Sequence, residues 1–252
     1  MLGSTSIGHG PTRIIAAHTW LCDHQTYAPM MQFIDPERFT VVFPDFRGYG
    51  KSRDLQGEFS IREMGRDLLE LADRLDYSAY HLVGNSMGGQ AAQWAVSQPQ
   101  AKDRIQSLTL LCSVQAHGFP LDAQGAAFFG AAAESAEVRG QCASAVTSGR
   151  LGAGFARHVA ALSMQTATKD AVRRYLAAWT QEDVSQEVGG FMGEVRVFVG
   201  QHDPVLTADV MKQKVLPLFP QASLATIDGA GHYPGIETPA YTAALISACV
   251  AE

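Results

Sequence analysis

The chain has 252 residues, of which 46% are hydrophobic, and carries a formal net charge of −6. This length suits one domain with a full core and room for an insertion. No stretch is dense enough in Lys or Arg to track a phosphate backbone, which argues against nucleic acid as a partner. The longest Ala- and Phe-rich run, residues 126–133, is too short to cross a bilayer, and the N-terminus lacks a signal-peptide pattern, so we expect a cytoplasmic protein without membrane contact.

Short apolar runs recur along the chain and are separated by segments of helical length. They occupy residues 13–17, 40–44, 80–83, 107–112, 195–199 and 223–227. This alternation predicts the α/β class: a mostly parallel twisted sheet with helices on both faces. Because the first run begins only at residue 13, little room remains for opening antiparallel strands, and we expect a shortened sheet edge.

Local sequence patterns predict two helical regions. Ser60 and Glu63 form a capping box, after which apolar residues recur at helical spacing to about Asp76. Over residues 114–190 the strand-helix alternation stops and Ala-rich helical segments replace it, which predicts a helical cap, or lid, inserted into the core. The predicted organisation is a core at 1–113 and 191–252 with the cap at 114–190.

The cysteines are widely spaced: Cys22, Cys112, Cys142 and Cys249. They form no CxxC pair, so we expect reduced, mostly buried thiols. The group His18, Cys22, Asp23 and His24 has no further ligand pair at suitable spacing, and we expect no metal site there. Asp23 has the position of a helix cap before His24.

Residues 84–89, Gly-Asn-Ser-Met-Gly-Gly, lie between an apolar run and a small-residue helical segment. This is the context of a nucleophile elbow, a sharp strand-to-helix turn that exposes a serine hydroxyl. The residues two before and two after the serine must be nearly free of side chain, and Gly84 and Gly88 meet that demand. The pattern predicts Ser86 as a nucleophile.

A serine nucleophile needs a histidine to take its proton and a carboxylate to orient that histidine. Asp203 follows the predicted strand at 195–199, at the sheet edge where α/β proteins build their sites. His232 lies 29 residues later in a Gly-rich loop after the last predicted strand. The order Ser86, Asp203, His232 is the order expected for a sheet with a nucleophile elbow.

Together with the motifs His18-Thr19-Trp20 and Asp45 to Ser52, these residues make the chain resemble the α/β-hydrolase family from about Arg13 to Val250. The resemblance implies an oxyanion hole made by the backbone N–H groups of Met87 and Trp20. Thr19 departs from the family pattern, which usually has glycine there.

By this resemblance the expected function is hydrolysis of a small carboxylic ester or lactone through an acyl-enzyme, without a cofactor or metal. The expected partner is a small-molecule substrate, and the protein is expected to be a monomer or homodimer. The apolar cap favours an uncharged or weakly polar substrate.

Three other activities share the fold and remain open. Carbon–carbon bond hydrolases have a similar elbow, but their glycine- and proline-containing loop is absent at residues 19–22. Cofactor-independent dioxygenases have a segment similar to residues 20–24. However, they have a histidine directly before the serine, where this chain has Asn85, and an acid near the position of Ser113. Hydrolase-like receptors retain the three site residues and use the ligand to reshape their lid.

Overall fold

The computed structural model describes residues 1–250, in which seven strands form one sheet. The strands are β1 (Ser4–Ile7), β2 (Thr12–Ala17), β3 (Phe39–Pro44), β4 (Tyr80–Asn85), β5 (Ile105–Leu111), β6 (Glu194–Gly200) and β7 (Ser223–Ile227). Their spatial order is β1-β3-β2-β4-β5-β6-β7; β1 runs antiparallel to β3, and every other neighbouring pair is parallel. The predicted mostly parallel sheet is confirmed, and all six predicted strands are present.

Strand β1 is a difference from the sequence analysis. The chain before residue 13 does contain an antiparallel strand, which pairs from Ser4 with Pro44 to Ile7 with Val41. Its sequence, Ser-Thr-Ser-Ile, is mostly polar and only partly buried, because it forms the edge of the sheet. A four-residue edge strand without an apolar run gives no hydrophobic periodicity to detect.

Ten α-helices accompany the sheet in the described residues. They are α1 (Ala28–Met31), α2 (Ile61–Arg74), α3 (Met87–Val96), α4 (Ala123–Ala131), α5 (Ala136–Ala145), α6 (Gly152–Thr166), α7 (Lys169–Gln181), α8 (Ala208–Lys214), α9 (Pro234–Glu237) and α10 (Pro239–Cys249). The Ser60 hydroxyl accepts the Glu63 N–H, as the capping box predicts. No helix of residues 1–250 combines the length and apolar character needed to span a membrane.

Each face of the sheet has its own apolar core, because successive side chains of a strand point to opposite faces. On β2, Ile15 and Ala17 pack toward the large core that includes α2, α3 and the helices between β5 and β6. Ile14 and Ala16 pack toward the smaller core shared with α1 and α10. Helices therefore cover both faces, as the sequence predicts.

Helices α4 to α7 lie between β5 and β6, within the segment 114–190, which we call the cap. The cap is hydrogen-bonded to loops at the carboxyl ends of the strands. Thr168 donates its backbone N–H to the Gly48 carbonyl at 2.9 Å, and the Trp20 indole N–H donates to the Val172 carbonyl at 3.0 Å. The division of the chain into core and cap at residues 113 and 190 stays a prediction.

Candidate active site

Ser86 lies at the turn between β4 and α3, with φ +55° and ψ −120°. This backbone conformation is strained for a residue with a Cβ, as an elbow requires. The two glycines leave the space the turn needs: a Cβ on Gly84 would lie 2.6 Å from the Cα of Gly89, and one on Gly88 would lie 2.5 Å from the His18 carbonyl oxygen. The local geometry is that of the elbow expected from the sequence.

The structure brings the three predicted side chains together. The Oγ of Ser86 lies 2.9 Å from Nε2 of His232, and Nδ1 of His232 lies 2.7 Å from Oδ2 of Asp203. All three residues are buried. In this arrangement His232 donates its Nδ1 proton to the carboxylate and offers Nε2 as the acceptor for the serine hydroxyl.

Asp203 is held on its other oxygen as well. Its Oδ1 accepts the backbone N–H groups of Val205 at 2.9 Å and Leu206 at 3.0 Å. Burial opposes the charged form, but the charge and hydrogen bond of His232, together with these two N–H groups, lower the pKa of the Asp203 carboxyl below its ordinary value. Asp203 is therefore a charged carboxylate that is held in place beside Nδ1 of His232.

The N–H groups expected to form an oxyanion hole belong to the first residue of α3 and to the loop after β2. In the described residues, no backbone hydrogen bond outside the helices and strands has the N–H of Met87 or Trp20 as its donor. The first N–H groups of a helix have no intrahelical acceptor, and they favour a negative charge. The left-handed residue of the β2 loop is Leu21, with φ +71°, and not Thr19, so a Cβ is tolerated where the family usually has glycine.

A sequence profile of the alpha/beta hydrolase fold matches residues 12–239. The chain belongs to the alpha/beta hydrolase fold family. A solved structure, an esterase from Exiguobacterium antarcticum, superposes with a TM-score of 0.86 at 15% identity, covering 99% of this chain and 95% of that one. At this identity the likeness concerns the fold.

Two curated relatives of this alpha/beta hydrolase differ in their chemistry. The chain is 31% identical over 81 residues to 3-oxoadipate enol-lactonase 1 of Acinetobacter baylyi, covering 32% of this chain and 30% of the relative. It is 31% identical over 86 residues to the 2-heptyl-3-hydroxy-4(1H)-quinolone dioxygenase of Mycobacteroides abscessus, covering 34% and 32%. The chain spans only 20 to 32% of the length of the curated relatives it matches.

A cavity of about 260 Å³ lies between the cap and the sheet edge of this alpha/beta hydrolase and reaches Ser86 and His232. Its walls are mainly aromatic and aliphatic and include Trp20, Phe119, Phe129, Val146, Trp179 and Leu206. No Asp, Glu, Lys or Arg of the described chain lines it. Phe129 and Trp179 of the cap line the cavity, whereas Phe128, Phe155 and Met164 of the cap do not.

Glu237, which the sequence analysis did not single out, closes the loop that carries His232. Its Oε2 accepts the Gly231 N–H at 2.7 Å, and its Oε1 accepts the Tyr233 N–H at 2.7 Å. No sequence pattern separates it from other glutamates: it is an acidic residue at the end of the short helix α9, five positions after His232.

Near the β2 loop, one ligand atom each of Asp23, His24 and Asp45 lie within 4.8 Å of one another. These groups already bond to the protein. Asp45 Oδ1 accepts from the backbone N and from Nδ1 of His24, its Oδ2 accepts the Lys51 N–H, and Asp23 accepts the Gln25 N–H as the predicted helix cap. Neither His18 nor Cys22 belongs to this group. The network holds together the loops after β2 and β3.

Proposed function

We propose that this protein is a serine hydrolase that cleaves a small carboxylic ester or lactone through an acyl-enzyme. One observation carries the proposal: the hydrogen-bonded series Ser86, His232 and Asp203 reaches an apolar cavity that holds space for a small ligand. The nucleophile, the base and the group that orients the base are thus in one line beside a substrate-sized space.

In the first half of the proposed reaction, Ser86 Oγ attacks the carbonyl carbon while His232 Nε2 takes its proton. The oxyanion of the tetrahedral intermediate accepts the N–H groups of Met87 and Trp20, and Asp203 stabilises the imidazolium. As the intermediate collapses, the bond to the leaving oxygen breaks and His232 returns the proton to that oxygen. The alcohol departs from an ester, or remains attached to the acyl chain of a lactone.

In the second half, a water molecule attacks the Ser86 acyl ester and gives a proton to His232. A second oxyanion forms in the same hole and collapses with cleavage of the ester bond to Ser86. His232 then returns its proton to the Ser86 oxygen, which restores the free enzyme and releases the acid. The cycle needs only water as co-reactant.

The cavity supports an uncharged acyl group as the substrate. A charged group there would lose its hydration without meeting an opposite charge, which costs several kcal/mol. Arg139 of the cap, though buried, does not line the cavity. It donates to the Ala132 carbonyl at 2.8 Å and to the carbonyl and hydroxyl oxygens of Ser163 at 2.8 and 2.9 Å. These acceptors all belong to the cap, so the guanidinium is not free to pair with a charged substrate.

The partial match to a quinolone dioxygenase makes cofactor-independent ring cleavage the second candidate. Two features argue against it. Asn85 stands directly before Ser86, and its amide donates to the Leu111 carbonyl at 2.8 Å. Cys112 and Ser113 follow β5, where the dioxygenases have their acid. In the hydrolytic proposal the acid is Asp203, which follows β6.

The decisive comparison is between Ser86→Ala and Ser113→Ala on p-nitrophenyl esters from acetyl to decanoyl. Ser113 is a buried serine near the site whose hydroxyl donates to the Val114 carbonyl, so it controls for the loss of a hydroxyl. Ser86→Ala should lower kcat by at least about 10⁴-fold, whereas Ser113→Ala should leave kcat near the wild-type value.

Several results would contradict the proposal. Ester hydrolysis that survives Ser86→Ala would remove the serine mechanism. Oxygen uptake with a hydroxyquinolone would favour the dioxygenase, and loss of absorbance of a ring-cleavage dienoate would favour a carbon–carbon bond hydrolase. Near-single turnover with a ligand-dependent shift in Tm would favour a receptor.

A further inference from the structure

We infer that Glu237 is a positioning residue for His232, and that Arg150 of the cap is the cation that holds Glu237 in place. The inference rests on the proposed function, in which His232 is the general base. Glu237 has a fully buried side chain, and its two oxygens accept the N–H groups of Gly231 and Tyr233, one on each side of the histidine. The backbone of His232 is thus held at both flanks by one carboxylate.

This support is needed because His232 lies in a loop, outside any helix or strand. Its ring must meet Ser86 and Asp203 at once, and the two bonds leave little freedom for the Cα. The carbonyl oxygens of the loop have separate partners: Cys112 Sγ lies 3.3 Å from the Gly231 oxygen, and Asn85 Nδ2 lies 3.5 Å from the His232 oxygen. Glu237 instead bonds the N–H groups on both sides of His232 at 2.7 Å, and these bonds to a carboxylate are charge-assisted.

A buried carboxylate needs an opposite charge as well as hydrogen bonds. Arg150 supplies it from the cap segment between α5 and α6. Its Nη2 donates to Glu237 Oε2 and, at 2.6 Å, to the Gly229 carbonyl. Ser148, two residues earlier, donates its hydroxyl to the His202 carbonyl at 2.9 Å, directly before Asp203. The segment 148–150 therefore contacts the loops that carry both the histidine and its acid.

This arrangement makes the position of the cap matter for the histidine. When segment 148–150 is seated, Glu237 has its counter-charge and both loop N–H groups are bonded. If the segment moves away, Glu237 is left as a buried charge without its partner and its bonds to the loop weaken. The cap over the substrate cavity is thus joined through Arg150 and Glu237 to the general base.

The test compares Glu237→Gln with Glu63→Gln. Glu63 is a matched control because it is also a buried carboxylate that accepts a loop N–H, that of Phe59 at 2.8 Å, and lies 3.5 Å from an arginine, Arg47. It does not touch the His232 loop. Both substitutions remove the charge and keep the shape, so both are expected to lower Tm.

Only Glu237→Gln should lower kcat, by about 10- to 100-fold, because small displacements of a reacting group cost that much. KM should change by less than about threefold, since the cavity walls are untouched. The rate at which a fluorophosphonate reagent labels Ser86 should fall in parallel, because that step also needs the base. Arg150→Gln should lower kcat in the same direction but less, and Arg150→Lys should recover most of it.

The outcomes separate this inference from the proposed function. If Glu237→Gln loses Tm as Glu63→Gln does but keeps the wild-type kcat and labelling rate, Glu237 has only a structural role and the inference is wrong. If Ser86→Ala remains active, the proposed function itself has failed. Should Glu237→Gln not fold, the Arg150 pair decides: equal kcat for Arg150→Gln and wild type overturns the inference.

Discussion

Gly88, in the first turn of α3, approaches the carbonyl oxygen of His18 so closely that a Cβ on Gly88 would lie 2.5 Å from that oxygen. The contact places the start of α3 directly against the loop after β2. These two segments carry the N–H groups of Met87 and Trp20. Their separation is therefore set by a glycine that has no space for any side chain.

Replacement of Gly88 by alanine should force the two segments apart, because the clashing atom is backbone and cannot rotate away. We expect a loss of unfolding free energy of about 1–3 kcal/mol and, if the proposed oxyanion hole is disturbed as a result, a fall in kcat of about 10²-fold. Gly130→Ala is the control. Gly130 lies within α4, and a Cβ added there would meet nothing within 4 Å beyond its own stretch of helix, so alanine should raise stability by about 0.5–1 kcal/mol. Chemical unfolding and ester kinetics measure both; unchanged kcat in Gly88→Ala would contradict the expectation.

Asp203→Asn should leave the fold intact and remove activity through the wrong histidine tautomer. Because Oδ1 of Asp203 accepts two backbone N–H groups, the asparagine carbonyl should take that side and present its NH₂ to His232. Nδ1 must then accept, so the proton moves to Nε2, which can no longer accept from Ser86. We expect kcat to fall by about 10³- to 10⁴-fold with little change in KM.

The control for Asp203→Asn is Asp228→Asn, a substitution of an exposed aspartate in the same part of the chain. Steady-state kinetics with thermal unfolding separate the two effects. A kcat within a few-fold of wild type in Asp203→Asn would show that this carboxylate does not orient the histidine.

The sheet and the meeting of Ser86, Asp203 and His232 at its edge were predictable because the strands and these three residues leave local patterns. Parallel strands are continuous apolar runs, and the elbow at Ser86 needs glycines at fixed offsets. Asp203 and His232 follow strands, and strand ends share one edge of the sheet. The parallel topology therefore brings residues that are far apart in the sequence together at one site.

The missed features depend on contacts between distant segments. Strand β1 is specified by pairing with β3 and not by its own polarity. Glu237 is a glutamate in an ordinary helical turn, and its partner Arg150 belongs to the cap, 87 residues away in the chain. Nothing local distinguishes either residue, and which cap side chains line the cavity depends in the same way on how the cap packs.

His24 should make stability depend on pH near neutrality. Burial opposes its charged form, but the bond to Asp45 at 2.8 Å and the charges of Asp45 and Asp23 raise the pKa of His24 above its ordinary value of 6.5. A pKa raised by folding contributes stability that is fully present below pH 6.5 and is lost as pH rises through the folded value. The unfolding free energy should therefore fall from pH 6.5 upward.

His24→Gln should flatten that fall, measured by urea unfolding across the range. His18 acts in the opposite direction: burial lowers its pKa, so its contribution is lost as pH falls below 6.5. Identical slopes above pH 6.5 for His24→Gln and wild type would contradict the assignment.

Val146, at the end of α5, should help to set the length of the acyl chain. It lines the cavity of about 260 Å³, and phenylalanine there would fill part of the space. The ratio of kcat/KM for decanoyl to that for acetyl p-nitrophenyl ester should fall by about tenfold or more in Val146→Phe, since each methylene displaced from an apolar pocket is worth about 1–3 kcal/mol. Val138→Phe, on the same helix but outside the cavity wall, should leave the ratio unchanged. An equal loss for both esters in Val146→Phe would mean that the bound acyl chain does not reach this part of the cavity.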